Sequence, residues 1–176
     1  LPGAVNTSRE IWKISLMYLV IGWIVTMIAG LIAGLPLSTA ALHGLWIFMS
    51  GWSTGGFAPT SQNILYYHSF IYEAVTVVFF TMGSFNFALH YSVLHGNRKE
   101  LIRNIELISF TITVTILTLL TFCGLMKDHV YPNTVALIRK GFYQLISAHT
   151  TTGFMSLYAR QLYHDWGNLA IFAMIL

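Results

Sequence analysis

The tightest constraint on this chain is an internal repeat built around two apolar segments too short to cross a bilayer. Sliding the sequence by 97 positions lays Gly44 on Gly141, Ser50 on Ser147, Thr54 on Thr151, Gly56 on Gly153, Phe57 on Phe154 and Tyr66 on Tyr163. Hydropathy repeats in step: a long apolar run, a short apolar segment, a loop ending in Gly-Phe, then another long run. Self-similarity at a fixed offset means that one structural unit is used twice.

The long runs cover about 11–35, 70–94 and 105–126, and each reaches the roughly 20 residues that a membrane helix needs. A fourth run, 166–176, is truncated. With Leu1 in place of a starting Met, both ends read as cuts in a longer protein. The short segments, 38–51 and 134–148, suit half-helices that enter the membrane and turn back. Each begins just after a proline, Pro36 or Pro132, with Ser38 and Asn133 or Thr134 as candidate caps. The expected fold is an all-α membrane protein of tandem helix–re-entrant loop–helix repeats. Its units are 1–97 (loop 52–57) and 98–176 (loop 149–154).

Composition agrees. The chain is 56% hydrophobic and 9% charged, against roughly 25% charged residues in soluble domains. Such a chain needs lipid as its solvent, and its +3 charge is too small and scattered for nucleic acid. Cys123 is the only cysteine, so no disulfide framework exists within the chain. No signal peptide is visible. Re-entrant loops leave and return on one face. Arg9, Lys13, Arg98, Lys99 and Arg103 therefore lie opposite Lys127, Arg139, Lys140 and Arg160. The positive-inside rule favours a cytoplasmic Arg98 loop and outward-facing Gly-Phe loops. The triplet Asn6-Thr7-Ser8 would then be cytoplasmic, where it is not a glycosylation site.

Non-helical backbone at membrane depth is tolerated where it is buried in protein or lines water. Cation filters use rows of carbonyl oxygens in place of the ion's water shell, and glycine permits the unusual φ/ψ values this requires. The candidate ion-binding residues are Ser53, Thr54, Gly55 and Gly56 in one loop, and Thr150, Thr151, Thr152 and Gly153 in the other. The half-helix C-termini bring partial negative charge to the same place. Phe57 and Phe154 are expected to wedge the loops against neighbouring helices, and neither loop carries a carboxylate. Glu73 and Asn86 are expected to support the filter. Glu73 is the ionisable residue near the start of a span, and Asn86 suits an interhelical hydrogen bond. Glu106 is expected to pair with Arg98 or Arg103. Among the seven histidines no i, i+4 pair has acidic support for a transition metal. His149, beside a loop, is expected to pack behind it. No phosphate loop, His-Glu-x-x-His or Gly-x-Ser-x-Gly motif points to an enzyme.

With Ser53-Thr54-Gly55-Gly56-Phe57, His149 through Phe154, and Gly83-Ser84-Phe85-Asn86-Phe87-Ala88-Leu89-His90, the chain resembles the Trk/Ktr/HKT superfamily of potassium transporters. Its short inter-repeat loop is most similar to the bacterial Trk or Ktr branch. That resemblance implies four filter loops around one K+ pathway in the whole protein, with this chain supplying the second and third repeats. It implies a multi-pass protein of the bacterial inner membrane, Na+ or H+ as candidate coupling ions, a homodimer, and a cytosolic nucleotide-binding regulatory subunit. The family's gating loop would fall beyond Leu176. The competing readings are a Na+ or mixed monovalent cation transporter of the same fold, a dimeric channel contributing two loops per chain, and a non-conducting membrane scaffold.

Overall fold

A computed structural model describes residues 2–175; Leu1, and Leu176 at the end of the truncated run, lie outside the described residues. Helix α1 (Pro2–Ile32) leads into the first half-helix, α2 (Leu37–Trp52), and a 3₁₀ turn at Asn63–Tyr67 follows the first loop. Next come α3 (Phe70–Gly83), α4 (Phe87–Leu94) and a short α5 (Glu100–Arg103). The second unit runs through α6 (Ile105–Lys127), the half-helix α7 (Thr134–His149), α8 (Ala159–His164) and α9 (Asn168–Ile175). The stretches Val5–Ile32 and Ile105–Lys127 are long and apolar enough to cross a membrane.

Each half-helix lies against the first helix of its own unit at a glycine, which admits the neighbour's backbone at Gly44 and its side chains at Gly141. A Cβ on Gly44 would lie 2.8 Å from the Met27 nitrogen, and one on Gly141 would lie 3.1 Å from side-chain atoms of Leu125 and Phe122. Gly22 similarly leaves room for the Phe48 ring. Between helices in lipid no hydrophobic drive operates, so such close van der Waals contact, with hydrogen bonds, holds the assembly together. The cap expectation fails for Ser38, because Pro36 occupies the α2 N-cap, while Asn133 takes the expected position at α7 without a side-chain bond.

The run 70–94 is not one straight span. Its two parts, α3 and α4, meet at 102°. Gly83 and Ser84 supply the weak point, and Asn86 restarts the helix, its Oδ1 accepting from the Leu89 N–H at 2.9 Å. The buried His90 braces the corner, with Nε2 3.0 Å from the Met82 carbonyl and Nδ1 3.3 Å from the Tyr18 hydroxyl. Gly83 packs on the end of the first half-helix, where a Cβ would lie 2.1 Å from the Trp52 carbonyl oxygen.

The main core joins the two units. Ile47, Ile64, Tyr67, Tyr72 and Phe80 of the first pack with Tyr143, Ile146 and Phe154 of the second. It sits directly behind the two Gly-Phe loops and fixes how they face each other.

Candidate functional site

Both half-helices end in the same way. Thr54 N–H donates to the Gly51 carbonyl at 3.0 Å and Gly55 N–H to Ser50 at 2.7 Å. Ninety-seven residues on, Thr151 N–H donates to Ala148 and Thr152 N–H to Ser147, both at 2.9 Å. This is the Schellman pattern, which requires a left-handed residue just past the helix. Glycine normally takes that place; here it is threonine, with φ +51 at Thr54 and +57 at Thr151. A β-branched residue in that region is a true conformational outlier. Two residues later the chain is left-handed again, at Gly56 (φ +68) and Gly153 (φ +80). Left-handed residues alternating with others turn successive carbonyls toward one side. The glycine positions are those the sequence marks for unusual φ/ψ; the strained threonines are additional.

The loops touch. A Cβ on Gly56 would lie 2.0 Å from the Thr152 carbonyl oxygen, so the second loop rests directly on the first. Ser53, Thr151 and Gly153 are exposed, whereas Thr150 and Thr152 are buried and share a 2.8 Å hydroxyl–hydroxyl bond. Thr152 is therefore buried whole, its side chain turned inward to Thr150 and its carbonyl set against Gly56. At the loop exits, Asn63 Nδ2 donates to the Gly56 carbonyl at 3.1 Å, and Ser147 Oγ donates to the Phe154 carbonyl at 2.8 Å.

Asn63 was not singled out in the sequence. Besides holding Gly56, its Oδ1 accepts from its neighbour Ile64 at 2.9 Å and from Met155 N–H of the other loop at 3.3 Å. Leu65 N–H adds a 3.1 Å bond to the Met155 carbonyl. One side chain thus ties both loop exits together. Its left-handed φ of +55 is one that asparagine tolerates. Close by, burial pushes the Tyr67 phenol up to about 12, so it stays protonated beside His43 Nδ1 at 3.0 Å.

Glu73 is buried and accepts from Arg139 Nε at 2.6 Å and Lys140 Nζ at 2.7 Å. It reaches a loop only through Lys140, which also donates to the Ser156 carbonyl at 2.7 Å. One turn along the same interface, Thr76 and Tyr143 share a 3.0 Å hydroxyl bond. Arg139 and Lys140 are therefore ion-pair partners within the fold and not free loop charges. His149 lies 3.0 Å from Thr113 Oγ1 and packs on Phe110.

Three expectations need correction. Phe154 is fully buried against Phe80 and Gly51, but its counterpart Phe57 is 82% exposed. Phe80 and Gly51 of the preceding unit add to the cover over Phe154, and no described residue stands in that relation to Phe57. Asn86 does not reach either loop. The helix break makes it the cap of α4, and its Nδ2 donates to Glu106 of α6, the interhelical hydrogen bond expected of it. Glu106 accordingly takes Asn86 as partner; among the described residues no ion pair joins it to Arg98 or Arg103.

Helices apolar enough to span, two half-helices and two matched, touching backbone loops define an all-α membrane protein of the tandem re-entrant-loop class. No protein-family model matches the chain. It is 36% identical over 107 residues to the Trk system potassium uptake protein TrkG of Escherichia coli (strain K12), covering 60% of this chain and 20% of that protein. It is 26% identical over 156 residues to TrkH of Vibrio parahaemolyticus, covering 87% of this chain and 30% of the relative. The crystal structure of the Vibrio parahaemolyticus potassium transporter TrkH superposes with a TM-score of 0.79 at 25% identity, over 98% of this chain and 36% of the other. The chain is homologous to the Trk potassium uptake proteins TrkG and TrkH. It spans about a fifth to a third of the length of these curated relatives.

Proposed function

We propose that this chain forms two of the pore repeats of a potassium uptake protein, in which K+ crosses the membrane between backbone carbonyls of the filter loops. The observation that carries this reading is the shared path of the two loops, left-handed at Thr54 and Gly56 and again at Thr151 and Gly153. An ion gives up its water only where oxygens already point at it. Two such loops in contact at Gly56 and Thr152 supply part of that cage, and further repeats of the whole protein complete it. Ser53 to Gly56 and Thr150 to Gly153 are the lining residues. Thr54 and Thr151 fix the carbonyl direction, and Phe154, Asn63 and Glu73 support the loops from behind. Both half-helix C-termini add partial negative charge, which favours a cation without a carboxylate.

The protein sits in a bacterial inner membrane as a multi-pass homodimer, with a cytosolic nucleotide-binding subunit regulating flow and Na+ or H+ as coupling ion. Orientation follows from the basic residues. With Arg139 and Lys140 engaged by Glu73, the free positive charge is weighted toward the Arg98 loop, which favours a cytoplasmic side there. The test is potassium-limited growth and K+ uptake of a transport-deficient bacterial strain expressing the full-length protein, with and without Gly56→Ser. Uptake by the parent and its loss, or loss of K+ over Na+ preference, in the variant is expected. Unchanged uptake and preference in the variant would refute a filter role. No uptake by the correctly inserted parent would favour a scaffold.

A further inference from the structure

We infer that Lys140 is a specificity-determining positioning residue, setting the shape of the second loop from outside it. This deepens the filter reading and rests on it. The ammonium of Lys140 lies between two oxygens, Glu73 Oε1 and the Ser156 carbonyl, each at 2.7 Å. Glu73 belongs to α3 of the first unit, Lys140 to the half-helix of the second, and Ser156 to the backbone two residues past Phe154. The three groups therefore brace the exit of the second loop against the neighbouring unit.

The loop itself is short of alternatives. From Thr151 to Ser156 the chain has no regular structure. Among the described residues its side-chain anchors are the Thr150 bond to Thr152, the Ser147 bond to Phe154, the Asn63 bond to Met155 and the Lys140 bond to Ser156. Of these only the last involves a formal charge, and charge-assisted bonds are about twice as strong as neutral ones. Ser156 is wholly buried, so water does not readily replace the ammonium. The first loop is held otherwise: the residue matching Lys140 is His43, which turns to Tyr67. The two loops thus have the same backbone path but different clamps, and only the second is linked to a charge.

Arg139 makes this separable from mere stabilisation. It also pairs with Glu73, at 2.6 Å, and its guanidinium lies over the Phe70 ring, 5.5 Å from the centroid; no loop carbonyl is among these partners. Removing either cation leaves the buried carboxylate with the other, so neither Lys140→Met nor Arg139→Met strands a charge. Only the lysine change frees Ser156.

The experiment uses the full-length protein in a transport-deficient strain, with K+ and Na+ uptake normalised to protein in the membrane. Lys140→Met is expected to lower the K+ over Na+ preference roughly ten-fold, the scale of one lost charge-assisted hydrogen bond, while Arg139→Met leaves it at the parent value. Lys140→Arg, which keeps charge and donors, is expected to retain most of the preference. Equal effects of Lys140→Met and Arg139→Met, or parental preference in Lys140→Met, would overturn the inference without touching the filter reading. If Lys140→Met fails to insert, Lys140→Gln takes its place under the same criteria. A parent that shows no K+ uptake would instead remove the filter reading itself.

Discussion

The Thr152 carbonyl oxygen occupies the space that a side chain on Gly56 would need, 2.0 Å from the ideal Cβ position. The two loops are therefore in backbone contact, and the residue that permits it is also left-handed, at φ +68. Two independent costs fall on any replacement. A left-handed alanine costs roughly 1–2 kcal/mol, and relieving the overlap costs roughly a further 1–3 kcal/mol. Neither loop can yield without moving its carbonyls. Gly56→Ala in the full-length protein is expected to insert but to lose most K+ uptake. Parental uptake at equal protein level would contradict this.

Asn63 makes a more selective prediction. Its amide nitrogen serves Gly56 in one loop, and its amide oxygen serves Met155 in the other. Asn63→Asp keeps the acceptor and loses the donor, so it frees the first loop and leaves the second anchored. Asn63→Ala loses both and adds the left-handed cost at φ +55. The expected order of K+ over Na+ preference is parent, then Asp, then Ala, with each lost bond worth about 1 kcal/mol, or roughly five-fold. Ion competition assays on the three proteins give the order; a reversal of Asp and Ala would show that the bracket does not act through its hydrogen bonds.

These two residues also mark the limit of what the sequence reveals. Long and short apolar segments in alternation suffice to read an all-helical membrane fold. The need for unusual backbone at Gly56 and Gly153 is likewise local, because glycine itself carries the signal. Asn63 is different: its role exists only because Met155, distant in sequence, is brought beside it. The contrast between buried Phe154 and exposed Phe57 has the same origin, since the same Gly-Phe pair meets different neighbours in the two loops. The corner at Ser84 lies within a long run that is apolar on average, where only Gly83-Ser84 and the capping type of Asn86 mark the break.

That corner is testable. Gly83 lies against the last carbonyl of the first half-helix, and a Cβ there would meet the Trp52 oxygen at 2.1 Å. The contact is backbone against backbone, so no flexible side chain can give way. Gly83→Val is expected to push α3 off the end of α2 and displace the loop that begins at Ser53. Uptake should fall, and protease sensitivity of the loop regions should rise. A variant with both at parental level would mean that the close approach at Gly83 is not what seats the first loop.

The left-handed threonines separate filter geometry from stability. Thr54 and Thr151 hold φ values of +51 and +57, each at a cost of roughly 1–2 kcal/mol relative to a residue that accepts this region freely. Such strain persists where the surroundings over-determine it, and it clusters at functional sites. Replacing either with glycine removes the strain but adds roughly 0.5–1 kcal/mol of backbone entropy loss, so thermal stability is expected to stay within about 1 kcal/mol of the parent. The functional effect has no such compensation. A glycine at the start of the loop lets the following carbonyls swing, and a filter that swings accommodates ions of more than one radius. Thr54→Gly and Thr151→Gly are therefore each expected to keep uptake while lowering K+ over Na+ preference, with the double variant worse than either. Melting temperature and ion competition measured on the same detergent-purified and cell-expressed proteins test both halves. A fall in stability of several kcal/mol, or an unchanged preference in the double variant, would show that the threonine strain has no part in discrimination.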